Sequence, residues 1–224
     1  MNSSEIMDLL GSVGDGPYVK YVDIIIVIET SENMSRVVDD IKNLDFSVDG
    51  FLNYLGLRDR ENIKKIRYKL VWFNGTLKRK ISSSQFYTVP GEETELRECL
   101  SKISTEGTGK ADCVQALLKA MNSNFCDVGN KIYHIIVVLS NSGVYWESDE
   151  EYEKLRELLV NQWCASNRAQ KILILFTPNK TPWDEIGLEL DNTIRVDTDY
   201  TFYNELTIKT LKKWIARVIG YVVD

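Results

Sequence analysis

Apolar residues recur along this chain in two different rhythms. Short continuous runs rich in β-branched residues mark buried strands: "VDIIIVI" (22–28), "IRYKLVWF" (66–73), "IYHIIVVL" (132–139) and "KILILF" (171–176), with a shorter "TIRVD" (193–197). "VDIIIVI", short, β-branched and without alternation, suits a strand covered on both faces. Between them the period changes to three and four. Val37, Val38, Ile41, Leu44, Val48, Phe51, Leu52 and Leu55 outline one face of a long helix that starts near Met34 and ends at Gly56. Helical patterns follow at about 93–103 and 111–123. "SDEEYEKLRELLVNQWC" carries a capping box, Ser148 followed three residues later by Glu151, and "YNELTIKTLKKWIARVIGYV" predicts a closing helix. "QFYTV", closed by "PG", reads as a short edge strand. Buried strands alternating with helices predict an α/β sandwich around a parallel sheet. Residues 1–20 read as a turn-rich lead-in and residues 21–224 as a single domain.

Composition narrows this picture only slightly. At 224 residues, 44% apolar and 27% charged, the chain can bury a sizeable core. A net charge of −6 argues against a general nucleic-acid binder, and the basic stretches "RDRENIKKIRYK" and "LKRK" read as solvated faces. No apolar run reaches the roughly 18 residues of a membrane span. The opening "MNSSEIMDLLGSVGDG" lacks the basic and apolar regions of a signal peptide. Cys99, Cys113, Cys126 and Cys164 show neither C-x-x-C nor a paired spacing with the single histidine, His134, and read as scattered buried thiols of a reducing compartment. These signs together predict a cytoplasmic protein.

In an open α/β sheet ligands gather at the carboxyl ends of the strands. There the chain places "ETSENMS" after the first strand, "SNSG" after "IIVVL", "TPNK" after "KILILF", and "STEGTGKAD" before the helix at 111. Glu29, Ser31 and Asn33 alternate, so a looped backbone can converge their oxygens on a hard cation. Equally, Ser31 or Asn33 can cap the following helix, Thr108 can hold a turn, and Ser142 before Gly143 fits a plain turn. "EGTGKAD" lacks the spacing of a P-loop. His134, inside an apolar strand with no matched nucleophile, reads as a packed or edge-facing side chain rather than a general base. Tyr145 and Trp146 in "GVYWESDEE" can serve as anchors of a protein-binding rim.

The strand "VDIIIVIETSENMS", its following helix, "IRYKLVWFNGT", the Gly/Thr loop before "CVQALLKAM", and "IIVVLSNSG" together resemble a von Willebrand factor type A (vWA) domain, over roughly residues 20–220. The nearest flavour is the bacterial intracellular group found near tellurium-resistance and stress-response genes. The resemblance implies a Rossmann-like three-layer sandwich, with a mostly parallel central sheet and one antiparallel edge strand. It also implies a metal-ion-dependent adhesion site, built from D-x-S-x-S, a Thr from a second loop and an Asp from a third. These positions fall on Glu29, Ser31 and Asn33, on Thr108, and on Ser142, with Asn141 as the alternative if the turn is shifted. The longer Glu29, the amide at Asn33 and above all the uncharged Ser142 make the site degenerate, holding no ion or only weakly bound Mg²⁺.

The function expected is therefore non-catalytic recognition of another protein through the loops at the carboxyl edge of the sheet, with no nucleic acid or membrane as partner. The alternative is a conventional Mg²⁺-dependent adhesion-type module. A hydrolase or nucleotide-binding enzyme on the same edge is a third reading, without an orienting histidine or lysine pair to support it.

Overall fold

In the computed structural model the described residues are 20–43, 46, 63–74, 80–107, 112–128, 131–141, 148–165 and 168–198. The lead-in, the second half of the predicted 34–56 helix, Thr108, Ser142, the Tyr145–Trp146 loop and the closing helix lie outside them. The strands are β1 (Lys20–Glu29), β2 (Ile63–Phe73), β3 (Ile81–Ser83), β4 (Tyr87–Val89), β5 (Lys131–Leu139), β6 (Gln170–Thr177) and β7 (Thr193–Asp197). The helices are α1 (Ser35–Lys42), α2 (Glu93–Ser101), α3 (Cys113–Met121), α4 (Asp149–Cys164) and α5 (Trp183–Glu189), with a 3₁₀ turn at Glu32–Met34.

The sheet order is β3-β2-β1-β5-β6-β7, parallel except at one edge. That edge is antiparallel, as expected, and made in two short pieces, β3 and β4, both paired with β2. The isoleucine run explains the centre of the sheet. β1 lies between β2 and β5, and Ile24, Ile25, Ile26, Val27 and Ile28 are all fully buried. Full burial of such a side chain contributes about 1.5–3 kcal/mol. Alternation sends Ile24, Ile26 and Ile28 into one core with α1 and α2, and Ile25 and Val27 into the other with α3, α4 and α5. The result is the three-layer sandwich. β1 connects onward to β2 on one side, and β5 to β6 on the other. The carboxyl ends of β1 and β5 therefore flank the crevice where the winding reverses.

At the amino end of the same strands the core closes on a polar row. Register places Arg67 beside Asp23, Asp23 beside His134, and His134 beside Lys171, across four strands. Arg67 grips the buried Asp23 carboxylate with two bonds, Nε to Oδ1 at 2.7 Å and Nη2 to Oδ2 at 2.5 Å. The Cys126 N–H also donates to Asp23 Oδ2, at 2.6 Å. His134 Nε2 lies 2.8 Å from the Cys126 carbonyl, which only accepts, so the proton sits on Nε2. Its ring stacks on Phe125 at 4.2 Å. Lys171 Nζ donates to the carbonyls of Trp163 and Ala165, at 2.6 and 2.8 Å, at the end of α4. The packed His134 expected from the sequence is what the fold contains.

Burial, ahead of the opposing pull of the Cys126 carbonyl and of Asp23, lowers the pKa of His134 below 6.5, and the charges of Lys171 and Arg67 act in the same direction. The unfolded chain then binds a proton that the folded chain refuses, so this group makes stability rise with pH up to the unfolded value. His134 is the chain's single histidine. Urea unfolding should show stability falling as pH drops from 7.5 through 6.5, with a shallower slope in His134→Gln.

Candidate functional site

The polar cluster at the crevice begins where β1 stops being apolar. Glu29, the last residue of β1, is fully buried. Its Oε2 accepts from Ser140 Oγ and from the Asn141 N–H, both at 2.8 Å, just past the end of β5. Its Oε1 faces Ser31 Oγ, which also lies against Asn33 Oδ1. Three oxygens thus converge at the mouth of the crevice. A hydroxyl has one proton, so Ser31 Oγ can donate to Glu29 Oε1 or to Asn33 Oδ1 but not to both at once.

The surrounding loops are tied to the same point. Thr30 N–H and Oγ1 both donate to the Phe73 carbonyl, at 2.8 and 3.0 Å, while the Thr30 carbonyl accepts from Glu106 N–H at 2.9 Å. Glu32 N–H donates to the Gly107 carbonyl at 3.0 Å. Gly107 has φ 78°, a left-handed conformation that favours glycine. Asn74 Nδ2 donates to Glu106 Oε1 at 3.0 Å. Segments after β1, β2, α2 and β5 are therefore cross-linked into one floor.

Neither proposed cap is used as one. Met34 precedes α1 without a side-chain cap bond, and Ser31 makes none to the 3₁₀ turn. The Ser31 side chain turns to Glu29 instead, and that of Asn33 meets Ser31. Of the five residues predicted for the metal site, the structure brings together these three; Thr108 and Ser142 fall outside the described residues. Asn141, the alternative, donates its backbone N–H to Glu29 Oε2, which leaves its side-chain oxygen as the group that a cation would use. Among the described residues no group of three or more His, Cys, Asp or Glu side chains is arranged to hold a metal. The three convergent oxygens carry one formal charge, and Glu29 Oε2 is already engaged by two donors. Mg²⁺ takes six oxygens in a near-octahedral shell, so the described donor set falls short of a resident-ion site.

Cys113 opens α3 beside this cluster and is fully buried. Burial first, and then the charge of Glu29, push its thiol well up, so it stays protonated and is no thiolate nucleophile. All four cysteines are free thiols, but only Cys113 is buried; Cys164 is exposed. The expectation of uniformly buried thiols is corrected to that extent, because the helix end at Cys164 faces solvent.

A doubly wound sheet with a Glu-x-Ser-x-Asn loop at its switch point defines an open three-layer α/β fold rather than a barrel or bundle. The chain belongs to the von Willebrand factor type A domain family, whose profile matches residues 23–161. No curated protein matches it. Among solved structures, the PilB minor pilin of Streptococcus sanguinis is similar with a TM-score of 0.56 and 10% identity, over 94% of this chain and 64% of that one. The pilus adhesin SpaC of Lactobacillus rhamnosus GG gives 0.55 and 13%, over 90% of this chain and 31% of the adhesin. A von Willebrand factor type A protein of Catenulispora acidiphila gives 0.50 and 10%, over 86% and 42%. The chain thus spans less than two thirds of the length of each. The expected cytoplasmic placement is overturned by these comparisons, since the fold's solved counterparts include a minor pilin and a pilus adhesin, components of pili. Among the described residues no helix is long and apolar enough to cross a membrane.

Proposed function

We propose that the chain is a non-catalytic protein-recognition module that engages another protein through the carboxyl-edge loops, over an eroded metal site formed by Glu29, Ser31, Asn33, Thr108 and Ser142. The observation that carries this reading is the commitment of Glu29. Its Oε2 braces β1 to Ser140 and Asn141, and its Oε1 faces Ser31, so the carboxylate serves the floor of the crevice. A partner would then bind by contacts with the loops themselves. The names of two similar solved proteins, a minor pilin and a pilus adhesin, support a binding role over a catalytic one. The protonated Cys113 offers no nucleophile, and the chain's net charge of −6 favours a protein over a nucleic acid.

A second reading, a conventional Mg²⁺-dependent module, is favoured by the convergence of oxygens from Glu29, Ser31 and Asn33. Affinity capture from native extract separates the two. A partner retained by the wild-type chain in EDTA, and lost with Asn33→Arg at an exposed loop position, supports the first reading. Loss of the partner in EDTA, with heat on titrating Mg²⁺ at millimolar concentration, supports the second.

A further inference from the structure

A cavity of about 550 Å³ lies at the opposite end of the sheet, between the ends of α3 and α4. Five residues of β5 lie between His134 in its wall and Ser140 at the crevice, a rise of about 20 Å. The volume is in the range that holds a small organic molecule. Its lining is mixed: Phe125 stacked on His134, with Ile136 and Trp163, faces the uncharged polar side chains of Ser123, Asn124 and Gln162. Two exposed charges of opposite sign, Asp127 and Arg168, also line it.

The polar groups narrow the ligand class. Lys171 reaches the cavity, but its ammonium is already spent on the carbonyls that end α4. His134 donates its Nε2–H to the Cys126 carbonyl, and burial favours its neutral ring. The carboxyl ends of α3 and α4, where Met121 and Trp163 stand, carry the negative poles of their helices. A phosphate or other polyanion would meet those poles with one uncommitted cation to help it. A ligand carrying both signs on an aromatic body would match Asp127, Arg168 and the apolar walls together.

We propose that this cavity binds a small zwitterion of the aromatic amino-acid class, its ring among Phe125, His134 and Trp163, its carboxylate toward Arg168 and its ammonium toward Asp127. This site is separate from the carboxyl-edge crevice, and its test does not involve the protein partner. Calorimetry on the full chain at pH 7.5 would compare L-tryptophan, tryptamine, indole-3-acetate and indole, which share one ring and differ in the short side chain and the charged groups it offers. Tryptophan should bind tightest. Each exposed charge pair should contribute about two- to fivefold. Arg168→Ala should bring tryptophan down to the affinity of tryptamine, and Asp127→Ala to that of indole-3-acetate. Both side chains are exposed, so the variants should fold, which circular dichroism would check. Absence of heat from all four compounds at millimolar concentration overturns the proposal. So does indole binding as tightly as tryptophan, or an order of affinities that neither variant alters.

Discussion

Glu29→Ala should lower the free energy of unfolding by about 3 kcal/mol, read from urea denaturation at pH 7.5. The substitution removes at once the acceptor that Ser140 Oγ, the Asn141 N–H and Ser31 Oγ share. An unsatisfied buried donor costs about 1–3 kcal/mol. Asn141 is half-buried and can recover a water, which holds the total near the lower end. Glu29→Gln keeps an oxygen acceptor at the same reach and should cost about half as much. The sign carries the functional meaning. A residue retained for a ligand at the expense of the fold becomes more stable when removed. A neutral or stabilising Glu29→Ala would therefore contradict the bracing role and favour the metal-dependent reading.

The second large effect lies at the other end of the strands. Arg67→Ala should cost about 2–3 kcal/mol, below the 3–5 of a fully buried pair because Arg67 keeps 29% of its side chain exposed while Asp23 keeps 1%. The loss comes from a carboxylate left in the core with the Cys126 N–H as its remaining hydrogen-bond donor among the described residues. Arg67 also lies 4.4 Å from the centre of the Phe86 ring, a cation–π contact that adds to the cost. A charge-free pair, Asp23→Leu with Arg67→Met, should recover much of the loss, since removing both ions avoids the stranded charge. A double variant as unstable as Arg67→Ala alone would place the cost in the packing of this row rather than in its charge.

The sequence was most informative where one side chain's burial sets the element. Five strand assignments, "VDIIIVI", "IRYKLVWF", "IYHIIVVL", "KILILF" and "TIRVD", fall on β1, β2, β5, β6 and β7. Ser148 caps α4 as its spacing predicts, accepting from Glu151 N–H at 3.2 Å. β3 is three residues, all half-buried, too short to show a period. α5 has seven residues, two of them buried, and falls below the length at which a 3.6-residue rhythm can be recognised. The site was legible as Glu29, Ser31 and Asn33 because they are local in the chain. Their use was not: capping and mutual bonding ask for the same residue types, and Ser140 is 111 positions from the carboxylate it serves. Asp23 and Arg67 were hidden for the same reason, 44 residues apart and joined only by strand register.

That register gives Asp23 a role beyond the energy of its ion pair. The run Ile24–Ile28 is almost the same forwards as backwards, and sliding it by one residue exchanges one buried aliphatic for another on both faces of the sheet. Such a strand is sticky but illiterate: its hydrophobicity says that it belongs in the middle without saying where to stop. Asp23 supplies the punctuation. A one-residue slip moves its carboxylate to the opposite face, into the core packed by α1 and α2 and away from Arg67 and the Cys126 N–H. The misaligned pairing is thereby penalised, and Glu29 arrives opposite Ser140 because a charge at the far end of the strand counted the residues.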